Sequence, residues 1–356
     1  MKRFWILFLI GMLAIVVCAP RIASAWFLNA ANADIAHALT STTSMQGDAL
    51  LTRAQAELDT AKSFSDDERI ALAQTRVLFA RDEYERAAKT YETTTASLRT
   101  DPIARYFWGL AAFQSQQPSL AYEHWRTGGA FVFFSQNAHR ALDKHDWRTA
   151  QDLAHIGVGI DPTDAEMHYV LGFSLLHLDA YDPNALDEAD LAIQCAPNDE
   201  LLSTYLSLKG EILNAQGNWQ IAMNVFETAR GVAPIDARPR TDLALLWLKR
   251  QPNRQNDAVA LLTQVVNDSP WYTAAYIALA DGSEKQGDFK PAETWLQKGL
   301  DKNPNNADML FALGKFYARQ NRIDDAHTML TQAQKVETRI DLVPMIENAL
   351  AELGAK

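Results

Sequence analysis

Residues 216–234 read QGNWQIAMNVFETARGVAP, and their Gly-Asn-Trp turn is either a ligand loop or a packing device. Spacing decides between the two. With the segment before it, the stretch sets Gly210, Ala222, Phe226, Ala229 and Pro234 at intervals of 12, 4, 3 and 5. The same intervals recur at Ala138, Ala150, Ala154, Gly157 and Pro162, at Leu246, Ala258, Leu262, Val265 and Pro270, and at Ala280, Ala292, Leu296, Gly299 and Pro304. Looser copies start at Gly172, with one residue inserted at YDPN, at Gly109 and Gly314 without the proline, and at Thr75. Eight units thus begin near residues 68, 102, 131, 165, 203, 239, 273 and 307. A fixed period of this length is the signature of a repeat array, and a residue that recurs once per unit serves packing rather than a unique site.

Each unit reads as two helices. Small residues such as Gly210 and Ala222 fall where the two helices cross, since a larger side chain would push the backbones apart. Glycine inside a helix costs about 1 kcal/mol against alanine, so its use at 109, 172, 210 and 314 implies a packing gain that outweighs the cost. The larger residue four positions later, Phe226 or Leu296, is expected to reach into the neighbouring unit. Proline then ends the second helix. The turns GNW (217–219), GDF (287–289), HDW (145–147) and DEY (82–84) put a polar residue before a ring, which predicts a helix cap with the ring over the turn. Thr94, Arg99 and Phe133 stand where small residues or proline are usual, so the first two units are less regular.

This pattern resembles the tetratricopeptide repeat (TPR) family, whose units of about 34 residues are antiparallel helix pairs. The resemblance covers roughly residues 68–340, the loose span of a repeat count rather than of any single motif. It implies an all-α fold, an α-solenoid of about eight stacked antiparallel helix pairs, with N- and C-terminal capping helices. The expected organisation is a signal peptide or membrane anchor at 1–25, a linker at 26–46, a capping helix at 47–67, the array at 68–340 and a second cap at 341–356. Ser65 is expected to cap the helix that opens at Asp66-Asp67-Glu68, and Leu342, Met345, Ile346, Ala349, Leu350 and Leu353 form one apolar stripe in the last cap.

The first residues set an expected compartment. Lys2 and Arg3 precede an apolar run from Phe4 to Val17, followed by the small residues Ala23-Ser24-Ala25. This is an export signal, read either as cleaved after the small residues or as retained through residues 4–20, since an apolar run of about 17 residues sits at the lower edge of what spans a bilayer. Either way the remainder is translocated, with membrane association through residues 4–20 in the second case. Val17 before Cys18 argues against a lipoprotein. Cys195 is the only other cysteine, so the exported part has no internal disulfide, and Cys195 is expected to be a small buried residue. A net charge of −11, with no extended basic cluster, disfavours nucleic acid as a partner.

No catalytic arrangement emerges. The eight histidines contain no HExxH and no pair beside cysteine, and GVGI at 157–160 follows a helix rather than a strand, which removes a dinucleotide reading. No cofactor or metal is expected, and the protein is read as a non-enzyme. What remains is surface, and the family resemblance places it on the first helices, which line a concave groove for a protein or peptide partner. Helical spacing then predicts a groove of Tyr106, Phe107, Leu110, Phe113, His139, Tyr169, Phe173 and His177, mostly aromatic. A polar half follows, with Ser207, Glu211, Asn214, Trp247, Arg250, Asp281, Glu284, Lys285, Lys315 and Arg319. A shift of one residue in register would move the aromatics into the core, and both placements stay open at this point. The resulting expectation is an extracytoplasmic interaction scaffold for envelope assembly, secretion or polysaccharide export. A self-associating homo-oligomeric structural protein and a glycan-binding accessory of a glycosyltransferase system are the alternatives.

Overall fold

The structure, a computed structural model, describes residues 21–38, 44–65, 67–93 and 100–354, and all regular structure among them is helical. The run from Phe4 to Val17 and the departures at Thr94 and Arg99 lie outside the described residues. Among the described residues no helix is long and apolar enough to cross a membrane. The chain divides into two compact units, Met1–Val132 and Phe133–Lys356.

The first unit contains α1 (residues 21–38), α2 (Ser44–Phe64), α3 (Glu68–Ala80), α4 (Tyr84–Glu92), α5 (Pro102–Gln114) and α6 (Pro118–Thr127). The expected linker at 26–46 is therefore helical as far as residue 38. Its Leu28, Ala31 and Ile35 recur at helical spacing and are buried against Ala54, Leu58 and Ala61 of α2 and Ile70, Ala73 and Val77 of α3. Asp34, nearly buried, takes both hydrogen bonds of the Arg53 guanidinium, which fixes α1 on α2. Asp67, not Ser65, caps α3, accepting from the Arg69 amide. In α5 and α6, Trp125 lies over Gly109, where an added Cβ would fall 2.3 Å from the indole nitrogen. That nitrogen donates to the Tyr106 carbonyl at 3.1 Å.

The second unit continues with α7 (Phe131–Asp143), α8 (Trp147–Ile160), α9 (Ala165–Leu178), α10 (Pro183–Gln194), α11 (Asp199–Ala215), α12 (Trp219–Val232), α13 (Ala237–Arg250), α14 (Gln255–Asp268), α15 (Thr273–Lys285), α16 (Phe289–Lys302), α17 (Ala307–Arg319), α18 (Ile323–Val336) and α19 (Leu342–Gly354). Helix pairs begin where the spacing predicts, except that α11 and α13 start four and two residues earlier. There Asn198 and Asp236 cap the helices by accepting from the Leu201 and Arg238 amides. Cys195 is the C-cap of α10 and only partly buried.

At Gly210 and Gly314 the repeated small residue proves to be a seat for the large side chain that follows it. A Cβ on Gly210 would fall 2.4 Å from Phe226 and one on Gly314 2.8 Å from Leu330, each in the same helix pair. Phe226 therefore closes its own unit first, correcting the expected reach into the neighbour, although it also belongs to the continuous core running through Leu243, Leu262 and Tyr276.

The turns repeat in backbone as well as sequence. Asp82, Gln116, His145, Gly217, Gly287 and Asn321 all have positive φ, between 55° and 86°. The residue after each sends its amide back to a carbonyl five residues earlier, as in Asn218 to Leu213 at 2.8 Å and Asp146 to Ala141 at 2.9 Å. This left-handed C-terminal motif is what GNW and GDF encode with glycine. The predicted side-chain cap forms at Asp146, which accepts from the Thr149 amide, but not at Glu83, Asn218 or Asp288.

Curvature follows from which helices touch. In the second unit α9 meets α11, α11 meets α13, α13 meets α15 and α15 meets α17, while each second helix meets the first helix of the next pair. First helices therefore crowd the inner side. The last loop returns to the first turn: Ile340 donates its amide to the Lys144 carbonyl at 2.9 Å, and His145 Nδ1 pairs with Asp341 at 2.9 Å. A loop contact thus joins the first turn of this unit to its last. α19 covers the end of the stack, burying Leu342 and Ile346 against Ala307, Leu310 and Ala333.

Candidate partner-binding face

The predicted groove residues separate between the two units. In the first, Tyr106 and Phe107 form an edge-to-face pair, and Phe107 also packs against Phe79 and carries the Arg76 guanidinium 4.8 Å above its ring. Leu110 is half-buried. Phe113 packs on Tyr122 and Trp125 of its own second helix, so it is an intra-pair core residue rather than a groove residue.

In the second unit the first helices bring the predicted His139 against two residues that the spacing did not single out. His139 (α7), Glu166 (α9) and Tyr205 (α11) form a chain. His139 Nε2 donates to Glu166 at 3.0 Å, and the Tyr205 hydroxyl donates to the other Glu166 oxygen at 2.9 Å. His139 Nδ1 also faces a carbonyl, that of Ser135, at 2.8 Å. With acceptors at both ring nitrogens, the imidazolium is the form that fits.

Accordingly the Glu166 hydrogen bond raises the His139 pKa against the opposing effect of burial, and the His139 bond lowers that of Glu166. His168 is built alike, between Glu188 and the Pro162 carbonyl; burial opposes its charge, but the two acceptors raise its pKa on balance. A histidine whose pKa is raised on folding stabilises the fold below its unfolded value of 6.5 and loses that contribution as pH rises through the folded value. In an NMR titration both imidazoles should show midpoints above 6.5, and a midpoint at or below that value for either would contradict the geometry.

Tyr169 and Phe173 are not open to a ligand as expected. Arg238, at the start of α13, lies over both rings at 5.9 and 5.3 Å, donates to the Tyr169 hydroxyl at 2.8 Å and pairs with Glu211 at 2.9 Å. The aromatic half of the face is filled by a cation of the same chain. His177 stacks on Trp147 at 4.2 Å and 11°. Although part of its ring reaches solvent, burial between the rings, together with the charges of His145 and Arg238, lowers its pKa. Trp147, expected only to cover the repeated turn, also forms a wall of this face.

The polar half is mixed. Trp247 is buried at 3% exposure, with Arg254 3.6 Å over its ring, and Ser207 is fully buried, so both are core rather than groove. Arg250 and Lys315 are exposed, Lys315 lying 5.5 Å over Phe311. Arg319 is held bidentately by Glu284 at 2.7 and 2.6 Å. Glu211, Asn214, Asp281 and Lys285 come together around a cavity of about 700 Å³ lined by α11, α13 and α15. Sequence reasoning missed Asp242, which also lines it, and missed Arg238, Glu166 and Tyr205. Among the described residues no group of three or more His, Cys, Asp or Glu is placed to hold a metal.

Stacked antiparallel helix pairs with first helices on the inside define an α-solenoid of the kind that binds other proteins on its inner face. Residues 253–309 and 284–339 match the tetratricopeptide repeat family model, so this part of the chain carries TPR units. Among solved structures it is similar to YrrB, described as a TPR protein with an unusual peptide-binding site, at 16% identity over 50% of this chain and 89% of that one, with a TM-score of 0.33. It is also similar to PilF of Pseudomonas aeruginosa, at 18% identity over 64% and 97% with a TM-score of 0.41. A third is a thermophilic TPR protein of Thermus thermophilus, at 19% identity over 53% and 100% with a TM-score of 0.44. No curated protein matches the chain.

Proposed function

We propose that the chain is a scaffold that holds a partner peptide or subunit on the inner face of its second unit, outside the cytoplasmic membrane. The observation that carries the reading is the cavity of about 700 Å³ where α11, α13 and α15 converge, the inner-face volume that the chain's own side chains leave unfilled. Export is supported by the basic, apolar and small-residue order of residues 2–25. Tasks in envelope assembly, secretion or polysaccharide export fit that compartment. Partner recognition rather than catalysis is supported by a face whose histidines and carboxylates are largely committed to one another.

A photocrosslinking residue placed at Lys285, on the inner face, should give adducts of discrete mass in cells. The same residue at exposed Thr228 on α12 should give none. Adducts at Thr228 alone, or at neither position, would overturn the reading.

A further inference from the structure

The inner cavity of the second unit is lined by the acceptors Glu211, Asn214, Asp242 and Asp281, with Lys249, Gln255, Lys285 and Gln286 also on its walls. Asp242 Oδ2 and Asn214 Oδ1 are both shut off from water, both line the cavity, and neither has a hydrogen-bond partner. Buried polar atoms are paired in the great majority of cases, and leaving one unpaired is costly, more so for a charged group. Two acceptors unpaired within the chain, on helices that touch and line one cavity, mark it as a place for a donor from outside the chain.

The surroundings narrow what that donor is. Glu211 stands beside Asp242 but is taken by Arg238, and Asp281 adds a further carboxylate from α15. Lys249 and Lys285 are at the mouth, with exposed side chains that remain in water. Leu245, Leu248 and Pro252 give the cavity apolar walls. Burial and the neighbouring Glu211 push the Asp242 carboxyl well above the usual range, and Arg238 only partly offsets them, so a further cation beside it would favour its charged form. An apolar stem with a flat, multiply donating cationic head matches such a cavity, and a guanidinium reaches acceptors arriving from several helices where an ammonium is a single point.

We propose that this cavity is a subsite for an arginine side chain of the bound partner, with Asp242 and Asn214 as its acceptors. The assignment rests on the groove reading above and names the partner's chemistry. The mirror of it is already present, since Arg238 shows a guanidinium seated on this same face between aromatic rings and Glu211.

The test uses the full chain and four pools of fluorescent nonapeptides, randomised over uncharged residues and fixed at the centre as arginine, lysine, citrulline or leucine. The arginine pool should bind about tenfold more tightly than the citrulline and leucine pools, as a charge-assisted bond against a neutral isostere predicts. Asp242→Asn should reduce that preference to about twofold or less while leaving Tm unchanged or higher, because it removes a carboxyl whose charge is opposed by burial and by Glu211.

Equal binding of all four pools would overturn the subsite and leave the groove reading standing. Equal binding of the lysine and arginine pools would overturn the guanidinium assignment, and an arginine preference that survives Asp242→Asn would overturn the role of that residue. If no pool binds, the subsite and the groove reading fall together.

Discussion

Phe226→Ala will lower the unfolding free energy of the second unit by about 3–5 kcal/mol, the range for truncating a buried phenylalanine, and the upper half is expected here. The ring is 2% exposed and lies directly over Gly210. Glycine has no side chain to move into the space the ring leaves, so the hole persists. The reciprocal change, Gly210→Ala, sets a methyl carbon 2.4 Å from the ring and will cost about 1–3 kcal/mol of overpacking, despite a helix-propensity gain of about 1 kcal/mol. Combined, the two should recover part of the loss, with a coupling of about 0.5–3 kcal/mol in a double-mutant cycle. Urea denaturation of the full chain reads all three, and strict additivity would show that Phe226 does not depend on Gly210.

Ile346→Asp will undock α19. Ile346 is fully buried among Ala307, Leu310, Ala333 and Leu342, whose side chains offer a carboxylate nothing to bond to. The lost side chain is worth about 2–5 kcal/mol, and an unpaired buried carboxylate adds several more, so release of the helix is the cheaper response. Hydrogen exchange should rise first in α19, then in α17 and α18, and limited proteolysis should cut between 337 and 342. Exchange in α17 and α18 indistinguishable from the parent protein would show that α19 covers nothing that matters to them.

Much of this architecture was legible from one period. Gly210, Ala222 and Phe226 recur because helix pairs need a crossing point and a ring to fill it, and both are local requirements that a sequence states directly. The stripe from Leu342 to Leu353 was legible for the same reason. Helix α1 was not, because its apolar residues follow an export-like segment whose composition masks the helical spacing of Leu28, Ala31 and Ile35. The face was half legible. Helical spacing placed Tyr169, Phe173 and His177 on one side of α9, but it could not tell core from groove for Trp247 or Phe113, where a rotation of one residue decides. Arg238 sits two residues after a cap and one before a proline, a position with no distinguishing signal. Its partner Tyr169 is 69 residues away in sequence, and only the stacked array brings them together.

The contact between the last loop and the first turn changes how the second unit should come apart. A linear stack of helix pairs has two free ends, and unfolding enters from whichever is weaker. The bonds from Ile340 to Lys144 and from Asp341 to His145 tie the turn of the first pair to the loop before α19. Fraying from α7 then requires these two bonds to break as well. The two ends of the unit should accordingly come apart together, because one small polar contact at the surface couples the loosening of either to the other.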